Sequence, residues 1–229
     1  MHYDWSAERK SPDGVHAAPE DPIVTSATSP LQTPFSPGFY TETELRRFGF
    51  QSVGDDVQIS RNCTIIGMAN IEIGNHVRID GYCSLFATGS GKIRIGSHIH
   101  IGSYCSLSGG EGIVMEDFSG LSQGVRVYSR TDDYSGAWLT NPTVPADYTG
   151  VIGGPVRLGR HVVIGAGTVI LPDVDVGEGA AVGALSLVRK SLEPWGIYFG
   201  SPAKKIRTRS KRLLDLESQL LLAEQLGVP

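Results

Sequence analysis

The chain has 229 residues, 40% of them apolar, and a net charge of −4 at pH 7. That length suits one large domain or two small ones with a real core, and the acidic balance argues against a general nucleic-acid binder. No run of about 18 apolar residues marks a membrane span, the first residues lack signal-peptide order, and three cysteines are too few for a disulfide framework, so a soluble, cytoplasmic protein is expected.

Residues 1–38 hold many Pro, Ser, Thr and Ala without period and read as a flexible N-terminal extension. Residues 39–52 read as a short helical cap: Thr41 and Glu44 fit a capping box, with Leu45 and Phe48 as its apolar edge. From residue 53 an aliphatic residue returns every six positions, at Val53, Ile59 and Ile65, then Ile73, Ile79 and Leu85, then Ile95, Ile101 and Leu107. It continues at Met115, Leu121 and Val127, then Leu158, Ile164 and Ile170, then Val176, Val182 and Val188. Neither a helix nor a lone strand has that period. The frame breaks only after every third hexad, so the unit is eighteen residues, and units start at 53, 73, 95, 115, 158 and 176.

A repeat of this kind predicts a solenoid over 53–194, with each hexad a short strand plus a bend and each unit one triangular coil. Coils stack as parallel strands about 4.8 Å apart. The fifth hexad position also points inward; on the first face it is Val57, Val77, Ile99, Ser119, Val162 and Ala180. Cys63, Cys83 and Cys105 fall in one column, continued by Val125, Thr168 and Ser186, which reads as a file of small buried residues. His76, His98 and His161 share one hexad position and read as exposed corner residues. With no His-x4-His pair, a zinc site and a β-helical hydratase are disfavoured. The longest interruption, loop 129–157, is where function is expected. Residues 195–229 read as a C-terminal tail and a helix, with Leu213, Leu216 and Leu220 on one stripe and Gly227 as a stop.

The hexapeptide frame, "VVIGAGTVILPDVDVGEGAAVGALSLV" and "GSPAKKIR" resemble the hexapeptide-repeat acyltransferases over about residues 40–210. The resemblance implies an all-β fold, a left-handed parallel β-helix, usually a homotrimer, using acetyl-CoA or another acyl-CoA; from the cysteine and histidine pattern no metal is expected. Periodicity alone cannot give the left hand, since parallel crossovers are normally right-handed. "EDFSGLSQG", "VYSRTDDYSG" and "WGIYFGSPAKKIR" look most like N-acyltransferases of nucleotide-linked, dTDP-type amino-dideoxy sugars, of the anthrose-pathway kind.

On that resemblance the candidate catalytic residues are Asp132, Ser122 and His100, and the candidate acceptor-binding residues are Glu111, Asp133 and Tyr134. His100 lies beside Gly120, which leaves space, and Ser122 is expected near it. Glu111 and Asp132 fall at another corner, so a composite site between subunits of a trimer is expected. Each has a plainer reading: Ser122 as a small bend residue, Asp132 and Asp133 as a turn with Ser135 and Gly136. Sugar O-acetyltransferases of the family carry a catalytic histidine in the large-loop region, but here no histidine lies between His100 and His161. A neutral amine needs less basic assistance than a hydroxyl, so an amino-sugar acceptor is favoured over a hydroxy sugar. For acyl-CoA the candidates are the backbone groups of Gly165, Ala166, Gly183 and Ala184, with nothing bulky over them, then Pro202 and the cations Lys190, Lys204 and Lys205. The last two also fit a solvated basic run before the helix. A non-catalytic solenoid scaffold is the alternative from another class.

Overall fold

The computed structural model describes residues 35–226. The bulk of the expected N-terminal extension, residues 1–34, and the expected stop at Gly227 lie outside the described residues. The chain is a left-handed parallel β-helix with three faces and a C-terminal helix.

Each hexad column becomes one file of a parallel sheet. On the first face Val53 pairs in register with Ile73, then Ile95, Met115, Leu158 and Val176. On the second, Ile59 leads through Ile79, Ile101, Leu121 and Ile164 to Val182. On the third, Ile65 leads through Leu85, Leu107, Val127 and Ile170 to Val188. All of these are buried except Val53 and Ile65, which sit in the first coil and are half-buried. The fifth-position file from Val57 to Ala180 is buried as well. The cysteine column also forms: the thiols of Cys63, Cys83 and Cys105 donate to the carbonyls of Asp80, Gly102 and Ser122. Cys83 and Cys105 are buried, Cys63 only partly, and all three are free.

Two ends of the stack need covers, because an open coil presents unpaired edges. At the first coil stands helix α1 (Glu42–Arg47), with Thr41 as N-cap and the full Thr41–Glu44 capping box. Its Leu45 is buried, and Phe48 meets Tyr40 edge-to-face at 5.0 Å. At the last coil the sheet runs beyond the expected limit of 194. Strand Gly196–Phe199 adds to the second face in parallel, and strand Lys204–Thr208 turns back against it antiparallel. Residues 195–208 are therefore part of the sheet, since the backbone of the last coil would otherwise lack partners.

One corner carries left-handed backbone at Asp56, His76, His98, Phe118, His161 and Trp195, with φ between 51° and 60°. Their side chains stack one above another: His76 on His98 at 4.8 Å, His98 on Phe118 at 4.5 Å, Phe118 on His161 at 5.3 Å. His76 is exposed, as expected of a corner residue, but His98 is only partly exposed and His161 is buried. Helix α2 (Leu213–Gln225) lies over the file, and His161 is only 7% exposed. Its Nε2 is 2.7 Å from Glu217 Oε2, and Arg160 also pairs with Glu217. The stripe of α2 departs from expectation in the other direction: Leu216 and Leu220 stay exposed. They line, with Leu213, a cavity of 540 Å³ against His98, Phe118, Ser119 and Val163.

Candidate active site

His100 stands on the second face in strand Ile99–Ile101, directly in register with Gly120 of the next coil. A Cβ at Gly120 would meet only His100 O, at 3.5 Å. No packing constraint calls for glycine there, and its effect is an open floor. His100, Gly120, Ser122, Gln123 and Val163 line one cavity of 210 Å³. The expected pairing of His100 with Ser122 is thus a geometric fact of one chain.

Behind His100 stands a residue that the sequence reading passed over. Asp80 Oδ2 is 2.8 Å from His100 Nε2, while Asp80 Oδ1 accepts from Arg78 Nε at 2.7 Å. Burial works against the Asp80 charge, but the hydrogen bonds from His100 and Arg78 outweigh it and hold the carboxyl below its ordinary range. With Nε2 taken up by Asp80, Nδ1 is the imidazole nitrogen left to work. The available signal was the register itself: Ile79 pairs with Ile101, so Asp80 and His100 are diagonal neighbours.

Glu111 and Asp132 do not line this cavity. Glu111 is held by Arg130, with Nε 2.7 Å from Oε1, so its carboxylate is already paired within the chain. Among the described residues Asp132 accepts only one long bond, from Asn141 N at 3.4 Å. Asp133 takes the plainer reading: Oδ2 accepts from Ser135 Oγ and Gly136 N, which closes a turn and lowers its pKa through the Ser135 hydroxyl first. Tyr134 is 91% exposed. The loop is more ordered than a plain excursion. It opens with an antiparallel stem, Arg130–Thr131 on Ile152–Gly153, and carries a short 3₁₀ turn at Ala146–Tyr148. Trp138, Leu139, Val151 and Ile152 on it are exposed.

The expected CoA residues divide. Gly183 is not open: Phe199 lies against it, so that a Cβ would be 2.1 Å from its ring. Its N–H donates to Tyr198 O and its carbonyl accepts from Thr168 and Ser186. Gly165 is likewise spent on coil stacking, its N–H on Val182 O and its Cβ site 2.4 Å from Ala184 N. The return of the chain along strand Gly196–Phe199 puts the bulk there, and nothing in the hexad frame announces it. The N–H groups of Ala166 and Ala184 make no hydrogen bond among the described residues, and Ala184 is exposed. Lys190 and Pro202 line one cavity of 310 Å³ with Arg189, Ser191 and Tyr198. Lys204 and Lys205 lie in a paired strand, opposite Phe199 and Tyr198, but their side chains are exposed, as the solvated reading expects. Arg209 departs from it, since it donates to His161 O and Gly179 O.

No protein-family model matches the chain. It is 45% identical over 180 residues to the dTDP-4-amino-4,6-dideoxy-D-glucose acyltransferase of Escherichia coli, covering 79% of this chain and 93% of that one. The N-acyltransferase AntD from Bacillus cereus, solved with dTDP-4-amino-4,6-dideoxyglucose and coenzyme A, superposes with a TM-score of 0.78 at 44% identity, covering 81% of this chain and 98% of that one. A further structure of AntD holds dTDP and 3-hydroxybutyryl-CoA.

Proposed function

The chain belongs to the hexapeptide-repeat N-acyltransferases of nucleotide-linked amino-dideoxy sugars, and from that premise we propose that it moves an acyl group from acyl-CoA to the amino group of a dTDP-linked 4-amino-4,6-dideoxy sugar. The observation that carries the site is the single cavity shared by His100 and Ser122 over the open floor at Gly120. Structures of AntD include variants at a serine and at an aspartate ten residues further along. Ser122 and Asp132 stand at the same spacing, which supports both as working residues.

In this reading the amine attacks the thioester carbonyl, a C–N bond forms, and the C–S bond breaks to release CoA. The Ser122 hydroxyl donates to the carbonyl oxygen as negative charge builds there. Asp132 holds the acceptor as its ammonium form, which gives one proton to His100 Nδ1 before attack; the second, lost from nitrogen as the intermediate collapses, goes to the departing thiolate, and CoA leaves as the thiol. The amides of Ala166 and Ala184 are the donors left for the pantetheine arm, and Lys190 with Lys204 or Lys205 serves the CoA phosphates. Asp132 and the cavity come together between subunits of a homotrimer, and the exposed Trp138, Leu139, Val151 and Ile152 support a neighbour against that loop. Among the described residues no helix is long and apolar enough to cross a membrane. A cytoplasmic enzyme of polysaccharide biosynthesis, fed by acyl-CoA and a nucleotide sugar, is consistent with all of this.

The test is direct. The chain is incubated with acetyl-CoA or 3-hydroxybutyryl-CoA and dTDP-4-amino-4,6-dideoxyglucose, with thiol release and product mass followed together. Amide product is expected. Equal turnover of the matched 4-hydroxy sugar would overturn the amine assignment.

A further inference from the structure

Helix α2 is held to the coil by charged contacts rather than by its apolar stripe. Glu217 pairs with Arg160 and with His161, and Glu224 Oε1, on the last turn, is 3.6 Å from His98 Nε2. None of the residues of α2 is buried. The helix therefore bridges the corner file and leaves a gap against Leu213, Leu216 and Leu220, the cavity of 540 Å³. That cavity shares His100, Gly120 and Val163 with the cavity of His100 and Ser122, so the two abut on the second face. We propose, on the basis of the transfer reaction above, that the cavity under α2 takes the distal carbons of the acyl group, and that Leu216 and Leu220 set a preference for acyl chains longer than butyryl.

Three features argue for an alkyl chain there. The first is the chemistry of the lining. Its charged members are already engaged, Glu217 by Arg160 and His161, and Arg209 by the carbonyls of His161 and Gly179. What the cavity offers a ligand is three leucines on the helix side, Phe118 in the corner file, and Val163, which is 41% exposed. A nucleotide or a sugar is held by hydrogen-bond donors and cations, whereas an alkyl chain needs only apolar surface to cover. The second is direction. Val163 pairs with Gly120 on one side and Ala181 on the other, so it stands in the coil of Ala166, an amide assigned to the pantetheine arm. A donor that enters from that side with its carbonyl at Ser122 lays its acyl tail along Val163 towards α2 and leaves the floor at Gly120 to the acceptor. The third is room. The cavity of 210 Å³ has to hold the thioester carbonyl and the reacting amine together. An acetyl group ends inside it; the further carbons of a longer chain leave it, and the cavity under α2 is the apolar space beside it. The exposure of Leu216 and Leu220, unexpected for an apolar stripe, is then the state of the enzyme without its donor.

The full chain is titrated by calorimetry with acetyl-CoA and with hexanoyl-CoA, and kcat/KM for both donors is measured with dTDP-4-amino-4,6-dideoxyglucose as acceptor. Hexanoyl-CoA is expected to bind about tenfold more tightly or better, because each methylene covered by the cavity adds to affinity. Leu216→Gln and Leu220→Gln take away the apolar wall at exposed helix positions and keep a good helix former there. In each, the hexanoyl-to-acetyl ratio should fall about fivefold or more, in Kd and in kcat/KM alike, with the Tm held. Leu216→Trp fills the gap while keeping it apolar, and it should lower the ratio too; a mere greasy patch would bind the longer chain as well or better with Trp. A ratio that none of the three substitutions changes would place the acyl tail elsewhere and end the proposal. A parent chain that binds the two donors equally would overturn the subsite and leave the transfer reading standing. One that binds neither thioester would overturn both.

Discussion

His100 Nε2 and Asp80 Oδ2 lie 2.8 Å apart, and this pairing decides which face of the imidazole the cavity sees. A ring so held presents Nδ1 in a fixed direction; a ring released can rotate and offers either nitrogen. Asp80→Asn keeps the size of the residue and removes its charge. It should lower kcat by about tenfold with both KM values little changed, the pattern of a positioning residue. Wild-type kcat in Asp80→Asn, measured by thiol release, would remove Asp80 from the account.

Gly120 provides a sharper test of where the acceptor lies. A methyl group there meets one carbonyl oxygen at ordinary contact distance. Gly120→Ala should therefore leave stability within about 1 kcal/mol, since alanine also restricts the unfolded chain. The same methyl intrudes on the cavity of His100 and Ser122. Activity should fall at least tenfold while the Tm holds; a fully active Gly120→Ala enzyme would show that the acceptor sits elsewhere.

The difference between those two residues shows how far the sequence could be read. The hexad frame placed the eighteen aliphatic positions and the fifth-position file, because one period links sequence position directly to face and coil; it left out Ile71, Ile93, Ile113 and Val156, buried residues that fall in the interruptions between units. It also put His100 beside Gly120, which is a register statement. Asp80 needed one further step, the diagonal across that register. Phe199 over Gly183, Glu217 on His161 and Glu224 near His98 lay beyond reach. They come from the strand return after Trp195 and from α2, and no periodicity ties those segments to particular coils. The same holds for Asp132, whose loop leaves the frame at Ser129.

The cysteine column predicts ordinary packing behaviour. Cys83 is fully buried, and its thiol donates to Gly102 O at 3.1 Å. Cys83→Ala should cost about 1–2 kcal/mol, while Cys83→Ser, which keeps a donor as Ser186 does in the same file, should cost less. Turnover should be intact in both. The neighbouring Cys105 thiol, and then burial, push the Cys83 thiol up to about 12, so it should resist alkylation at neutral pH in the folded chain. Loss of activity in a folded Cys83→Ser protein would contradict the packing role.

The cap at the first coil carries its own pH signature. The backbone N–H of Thr41, then its hydroxyl, then Arg61 hold the Glu44 carboxyl at about 2, against an ordinary 4.5. A lowered carboxylate value means that the unfolded chain takes up the proton first as pH falls. The contribution of Glu44 is therefore complete above about 4.5 and is lost on acidification towards 2. Glu44→Gln should lower the Tm at pH 7 by a small, salt-dependent amount, because the group is exposed. That difference should shrink between pH 4.5 and 2; a gap that stays constant down to pH 2 would show that the charge is not its source.

Asp132 decides the mechanism. Among the described residues its carboxylate has one weak partner, Asn141 N at 3.4 Å, on a loop whose stem is formed by Arg130–Thr131 and Ile152–Gly153. A carboxylate so lightly engaged is available to a ligand, in contrast to Glu111, which Arg130 already holds. Asp132→Asn separates two roles. If the carboxylate only holds the ammonium group, the sugar KM rises and the acyl-CoA KM stays, because an amide still accepts a hydrogen bond but no longer offsets the charge. If it takes the proton during attack, kcat falls by about a hundredfold or more. Asp132 does not line the His100 cavity within one chain, and the proposed site has a neighbouring subunit bring the two together, with the first outcome expected. Mixing Asp132→Asn with His100→Ala chains checks that arrangement: a composite site regains activity in mixed trimers, as one pairing of intact halves re-forms. Mixed samples no more active than the two variants apart would place the whole site within one chain.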